Sequence, residues 1–187
     1  MKKAAASLIL AVLCLTGCGK DNPELERGLA LRARAQQAQG CSFSAKMEAD
    51  FGDQLYEFSL DCQGSSGGEM TFQVTGPETI SGITGTLAQE GGALTFEKTA
   101  LAFPLLSQGL VSPVSGPWLL WKALTAGCIT SACLEGEQLR LSLDDSYGES
   151  ALQLDIWCDG EDLPARVEIC QEGRRILTIS LSNFTFL

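Results

Sequence analysis

There is no histidine among the 187 residues. Its absence removes the commonest general base, so Ser-His or Cys-His nucleophilic catalysis has no partner in this chain. It also removes the commonest transition-metal ligand, and the cysteine spacings C-x4-C and C-x11-C are not those of zinc ribbons or fingers. A phosphate-binding loop is missing as well: Gly82-Ile83-Thr84-Gly85 sits in a strand-like pattern without the lysine such loops carry. Positive charge is scarce, with 13 Lys and Arg against 23 Asp and Glu. Phosphate backbones and anionic head groups repel so acidic a protein, which disfavours nucleic acid and polybasic docking to membranes. Paired carboxylates suited to glycoside hydrolysis occur in any acidic chain and single out no pair. The expectation is a protein that is not an enzyme, with no catalytic residues, no metal and no dissociable cofactor.

What is present begins with Lys2 and Lys3, an apolar run from Ala4 to Leu15, and the box Leu15-Thr16-Gly17-Cys18. This is the three-part layout of a secretory signal. In bacterial lipoproteins the cysteine of such a box receives a diacylglycerol, and the peptide bond before it is then cut. A small transmembrane anchor is one alternative, but the run falls far short of the ~20 apolar residues a span needs. Plain secretion with a free Cys18 is the other. The division expected is 1–17 signal peptide, 18–22 lipidated tether and 23–187 a single domain. Cleavage after residue 17 takes two of the 13 basic residues and none of the 23 acidic ones, leaving 170 residues with 11 against 23, or −12. With that charge, attachment to the outer face of the cell membrane falls to the acyl chains on Cys18, at ~0.8 kcal/mol per buried CH₂.

Six cysteines follow: Cys41, Cys62, Cys128, Cys133, Cys158 and Cys170. An even number in an exported domain points to disulfides. Asn22 or Asp21, Pro23, Glu24 and Glu26 mark a helix start, and Gly40 is its expected left-handed stop. From Cys41 the period changes to two. Phe43, Ala45 and Met47 alternate with polar residues, and Leu55 to Leu60 returns as a hairpin. A turn centred on Phe51 and Gly52 sets Cys41 opposite Cys62, the geometry of a cross-strand disulfide. Further alternating runs end at Gly76-Pro77, at Glu90-Gly91-Gly92 and, late in the chain, at Asp159 to Asp162 and Gln171 to Gly173. About nine strands result. Pro104 argues against a central strand over Leu101 to Val111. Gly116-Pro117 leads Trp118 to Leu124 into a short helix that is apolar nearly all round, with Cys128 and Cys133 placed to staple the loop leaving it. Cys158 pairs with Cys170 by elimination, yet their parity conflicts. Either a bulge re-aims one of them, or the four late cysteines pair in another way.

The stretches Leu163-Pro164-Ala165-Arg166-Val167-Glu168-Ile169, Gly173-Arg174-Arg175-Ile176-Leu177 and Leu181-Ser182-Asn183-Phe184 resemble the C-terminal hairpin of LolA/LppX-like lipoprotein carriers. The N-terminal helix, the early hairpins, the Gly-Pro-Glu before a Gly-Ile-Thr-Gly-Thr strand and the Pro-led central helix match in order. Within that superfamily the likeness is to the Gram-positive branch that includes the clostridial spore-germination lipoprotein. The resemblance implies a mainly β (α+β) fold: a strongly curved antiparallel sheet, an open half-barrel, lidded by an N-terminal and a short central helix. In carriers the cavity holds acyl chains; in the germination branch the lipoprotein supports a cell-wall amidase. The resemblance carries no catalytic residues.

Two roles follow. The preferred one is docking a cell-envelope protein partner, such as a spore-cortex amidase; the alternative is binding an apolar, acyl-chain-containing ligand. Trp118 and Trp121, with Phe103, Leu105 and Leu106, are the candidate ligand-lining residues, although a core plug in the half-barrel is the preferred reading of the tryptophans. Asp144-Asp145 and Asp159-Gly160-Glu161-Asp162 match no calcium loop and read as turn residues. Replacing Cys18 with Ala is expected to leave the protein unlipidated and to release it from the membrane fraction. A variant that still enters the detergent phase on partitioning would contradict the lipoprotein reading.

Overall fold

A computed structural model describes residues 22–96, 99–104, 106–107, 110–144 and 152–187. The expected signal, Cys18, tether residues 19–21, Leu105 and Asp145 lie outside the described residues. Helix α1 spans Pro23–Gln37. Asn22 caps it, its side-chain oxygen accepting from the Leu25 N–H at 2.9 Å, and Pro23, Glu24 and Glu26 fill a first turn that lacks backbone partners. Its buried residues are Gly28, Leu31 and Ala35, while Leu29 faces water. The stop differs from expectation. Ala38 is already extended and Gly40 opens the first strand, where a Cβ would lie 2.2 Å from the Gly64 carbonyl oxygen. Glycine is needed there for close approach of two backbones, not for a left-handed turn.

The strands are β1 Gly40–Asp50, β2 Leu55–Ser65, β3 Met70–Gly76, β4 Thr84–Ala88, β5 Gly91–Phe96, β6 Thr99–Phe103, β7 Leu106–Ser107, β8 Leu110–Val111, β9 Cys128–Glu135, β10 Gln138–Asp144, β11 Leu152–Cys158, β12 Pro164–Gln171 and β13 Arg174–Phe186. Eleven form one antiparallel sheet in the order β6-β5-β4-β3-β2-β1-β13-β12-β11-β10-β9, and β7 pairs with β8 apart from it. The sheet is curved and unclosed, an open half-barrel. Pro104 lies just beyond β6, so the apolar stretch before it is an edge strand, as proline permits. β9 replaces the loop expected after the central helix.

Alternation gives the sheet two unlike faces. Phe43, Ala45, Met47, Leu60, Met70, Phe72, Leu141, Leu154, Ile156, Val167, Ile169 and Ile179 are buried on the inner one. Against it lies helix α2, Gly116–Ala126, with Gly116, Pro117, Trp118, Leu119, Leu120, Trp121, Ala123 and Leu124 all buried. A Cβ at Gly116 would stand 2.6 Å from the Met47 side chain and 2.9 Å from Ile179, so α2 begins in contact with the central strands. β13 carries a bulge opposite Ser42 to Ser44, with Asn183 at φ 55°. The extra residue keeps Leu181, Phe184 and Phe186 on the inner side. Phe43 stacks on Phe184 at 5.4 Å, Phe184 meets Phe186 edge-on at 5.2 Å, and Phe186 meets Trp121 at 6.4 Å.

Three cysteine expectations change. The β1–β2 turn has four residues: the Phe51 N–H donates to the Gln54 carbonyl, and Asp50 Oδ1 accepts from the Gly52 N–H at 2.8 Å. Asp50 therefore pairs with Leu55, and Cys41 faces Gly64 while Cys62 faces Phe43. The shift is two residues, so both cysteines stay on the inner face, but as diagonal neighbours rather than opposites. Cys158 pairs with Pro164 and Cys170 with Gln153, at opposite ends of the β11–β12 hairpin. About 17 Å of strand separates them, far beyond disulfide reach. Cys128 and Cys133 lie on one extended strand, not around a loop. All six are free thiols here.

Gly40→Ala is expected to cost about 1–3 kcal/mol, the usual range for forcing atoms into a packed site, read as a lower midpoint in thermal unfolding. An unchanged midpoint would contradict the close backbone approach.

Candidate ligand-binding face

The middle of the inner face is filled. Trp118 and Trp121 are 6% and 2% exposed. Their indole N–H groups donate to carbonyls of the β2–β3 turn, Trp118 to Gly68 at 2.8 Å and Trp121 to Ser65 at 2.9 Å. Lys122 covers the Trp118 ring at 5.4 Å. Both rings thus combine apolar burial with a satisfied polar edge, as buried tryptophan requires. Helix α1 closes the other flank. Arg27 grips Asp162 in a forked ion pair, with Nη2 2.5 Å and Nε 3.1 Å from Oδ1, and Arg34 Nη2 donates to the Asp162 carbonyl at 2.7 Å. Asp159 Oδ1 accepts from the N–H groups of Glu161 and Leu163. The acidic turn is accordingly occupied with closing a hairpin and holding α1.

Phe103 lies elsewhere. It is on edge strand β6, paired with Gly92, and its ring lies across that side-chain-free position beside Leu87. Of the remaining candidates, Leu106 lies in β7 and Leu105 is outside the described residues. The structure therefore separates the expected set into a buried tryptophan pair and a phenylalanine at the margin of the sheet.

That margin holds the residues that sequence reasoning did not single out. Following the pairing outward, Phe72 faces Gly85, Gly85 faces Leu94 and Leu94 faces Leu101; Phe96 faces Thr99. All continue the inner face. Yet Leu101 is 63% and Phe96 50% exposed, with Leu94 and Phe103 half-buried, whereas Leu87 one strand inward is fully buried. Neither helix makes its main contacts there: α2 reaches β1, β2 and β3, and α1 reaches β9 and β10. The outer side of the same strands carries only Thr84, Thr86, Ala88, Ala93, Thr95, Ala100 and Ala102. Large apolar side chains thus point to the inner side, away from the main contacts of both helices among the described residues. Alternation over Leu94 to Phe96 and over Leu101 to Phe103 was the available signal.

A second missed feature lies on the outer face. Trp157 is sandwiched between the Arg140 and Arg166 guanidinium groups at 5.0 and 4.9 Å, and its N–H donates to Glu135 at 3.2 Å. Asp155 is buried beside it, accepting from Arg140 Nη2 at 2.9 Å and Ser142 Oγ at 2.5 Å. Cross-strand neighbours satisfy these charges mutually, which suits a structural seam. Burial pushes the Cys41 and Cys158 thiols up to about 12 and raises Cys62 likewise, so all three stay protonated and unreactive near neutrality.

No family model matches the sequence, and no curated protein matches it. Among solved structures, the chain is similar to an uncharacterized conserved protein from Thermus thermophilus, at 11% identity over 87% of each chain and a TM-score of 0.48. It is similar to a LolA superfamily protein from Nitrosomonas europaea, at 7% identity over 86% of this chain and 93% of that one, TM-score 0.44. It is also similar to the lipoprotein LppX from Mycobacterium tuberculosis, at 12% identity over 88% and 96%, TM-score 0.41. At TM-scores below 0.5 these likenesses carry no ligand, partner or activity to this chain.

Truncation separates plug from margin. Trp118→Ala and Trp121→Ala are each expected to cost ~3–5 kcal/mol in denaturant unfolding, as for other buried tryptophans. Retention of nearly full stability by either variant would contradict the plug.

Proposed function

We propose that this chain is a non-enzymatic, lipid-anchored envelope protein of the LolA/LppX-like kind that holds an apolar, acyl-chain-containing ligand against the uncovered margin of its inner face. One observation carries the reading: Leu101 and Phe96 stand exposed on the face of the sheet whose large apolar side chains from β1, β3 and β4, such as Met47, Phe72 and Leu87, are buried. A large exposed apolar surface on an otherwise acidic protein marks a binding site. The chemistry there is neutral and flexible in shape, which suits acyl chains rather than a polar metabolite.

The order of the two roles expected from sequence is thereby reversed. Docking of an envelope protein stands second, supported by the filled middle of the half-barrel, and no feature of the described residues speaks for an amidase in particular. The Cys18 anchor on the outer face of the cell membrane and membership of the Gram-positive germination branch are parts of this proposal that rest on the sequence alone.

The test uses cis-parinaric acid, a fluorescent polyene fatty acid, with palmitate as competitor. Binding displaced by palmitate is expected. Leu101→Glu and Phe96→Glu should each weaken it about 10- to 100-fold, the loss of ~1.5–3 kcal/mol from one buried apolar side chain. Thermal midpoints should hardly move, since both residues are exposed. Absence of binding, or binding indifferent to both substitutions, would return the docking role to first place.

A further inference from the structure

Strand β9 forms one border of the sheet, so no strand pairs with its outer side among the described residues. It begins Cys128-Ile129-Thr130-Ser131-Ala132-Cys133. Both cysteines are exposed. Against β10, Cys128 pairs with Asp144 and Cys133 with Arg140, so both share the outer face with those side chains. Ile129 and Ala132 pair with the buried Leu143 and Leu141 and lie partly buried against the core. Between them the register shifts, because Ser131 pairs with Ser142 while Ile129 pairs with Leu143. Thr130 is the extra residue; it is exposed, and its hydroxyl donates to the Ser142 carbonyl at 3.1 Å.

The bulge makes the pattern of faces read the same in both directions: out, in, out, out, in, out. The chemistry does too: thiol, apolar, hydroxyl, hydroxyl, apolar, thiol. A two-fold axis between Thr130 and Ser131 would set Cys128 of one copy opposite Cys133 of the other, Ile129 opposite Ala132, and Thr130 opposite Ser131. Every pair would lie on a common face. Directly opposed residues of antiparallel strands have Cα atoms ~4.5–5.5 Å apart, inside the ~4.4–6.8 Å window for a disulfide. Among the described residues no partner within the chain competes. Cys128 and Cys133 are separated by roughly 15 Å of strand, and Cys170 lies in the row of Cys128 but three strands away, at about 14 Å. Cys41, Cys62 and Cys158 are buried. Residues 128–134 also carry no charge, so the acidic copies do not set like charges against each other along this edge.

We infer that β9 is a homodimerisation edge: two copies join their sheets antiparallel and are locked by two Cys128–Cys133 disulfides across the two-fold axis. This is independent of the ligand reading, since the edge lies at the opposite border from β6. With oxidised glutathione as oxidant, a Cys128 thiolate attacks one glutathione sulfur and expels a glutathione thiolate. The Cys133 thiolate of the second copy then attacks the protein-bound sulfur and expels the other. Two protein thiols become one disulfide, and one oxidised glutathione becomes two reduced.

The test takes the full chain in detergent, reduced, freed of reductant and treated with oxidised glutathione. Mixed unlabelled and ¹⁵N-labelled protein is then separated without reductant and mapped by peptide mass spectrometry. A covalent dimer is expected, containing Cys128 of one isotope joined to Cys133 of the other. Cys128→Ser and Cys133→Ser should each reduce dimer at least tenfold while leaving the circular dichroism unchanged. A monomeric product, a Cys128–Cys128 link or a dimer joined through Cys170 would overturn the inference.

Discussion

An eleven-stranded sheet that does not close presents an apolar face larger than its own twist can hide, and covering it is the constraint on which the rest of this fold depends. The chain covers it with two helices. Helix α2 carries apolar side chains all round because it is surrounded: strands below, the β2–β3 turn on one side and α1 on the other. Features that look unrelated in sequence serve this burial. Carbonyls of Ser65 and Gly68 receive the two indole N–H groups, the bulge at Asn183 keeps Phe184 and Phe186 turned inward, and Gly40 lets β1 cross close to β2.

The same constraint explains the candidate site. A helix rises only ~1.5 Å per residue, so the eleven residues of α2 cannot span eleven strands spaced ~4.8 Å apart. Covering stops near β3. Beyond it the inner face continues through Leu94, Phe96 and Leu101 with apolar side chains that a fully satisfied domain would have exchanged for polar ones. The outer face of the same strands carries only threonine and alanine side chains, so the exposure follows from the unbroken alternation of the sheet and not from large apolar residues on both faces.

Much of this was legible in the residues. Period-two alternation from Phe43 to Met47 and from Leu139 to Leu143 marked buried faces correctly, because one slip would move a whole set into water. Asn22, Pro23 and the two glutamates placed the start of α1, since a helix N-terminus has few chemical solutions. Turn length was not legible in the same way. The Asp50 side chain closes a four-residue turn where Phe51-Gly52 suggested two, and that local hydrogen bond moved Cys41 away from Cys62. β9 was hidden by its cysteines and hydroxyls, whose alternation the Thr130 bulge interrupts. Trp157 went unnoticed because its burial comes from two arginines on neighbouring strands, a relation that exists only after the strands are paired.

The central claim is that the inner face is plugged in its middle and open at its β5–β6 margin. The most direct measurement is photo-crosslinking with a diazirine-bearing fatty acid, with adducts located by peptide mass spectrometry. Adducts concentrated on residues 94–103 and suppressed by excess palmitate are the result this account predicts. Adducts on Trp118 and Trp121 instead, or on the threonine-rich outer face, would contradict it.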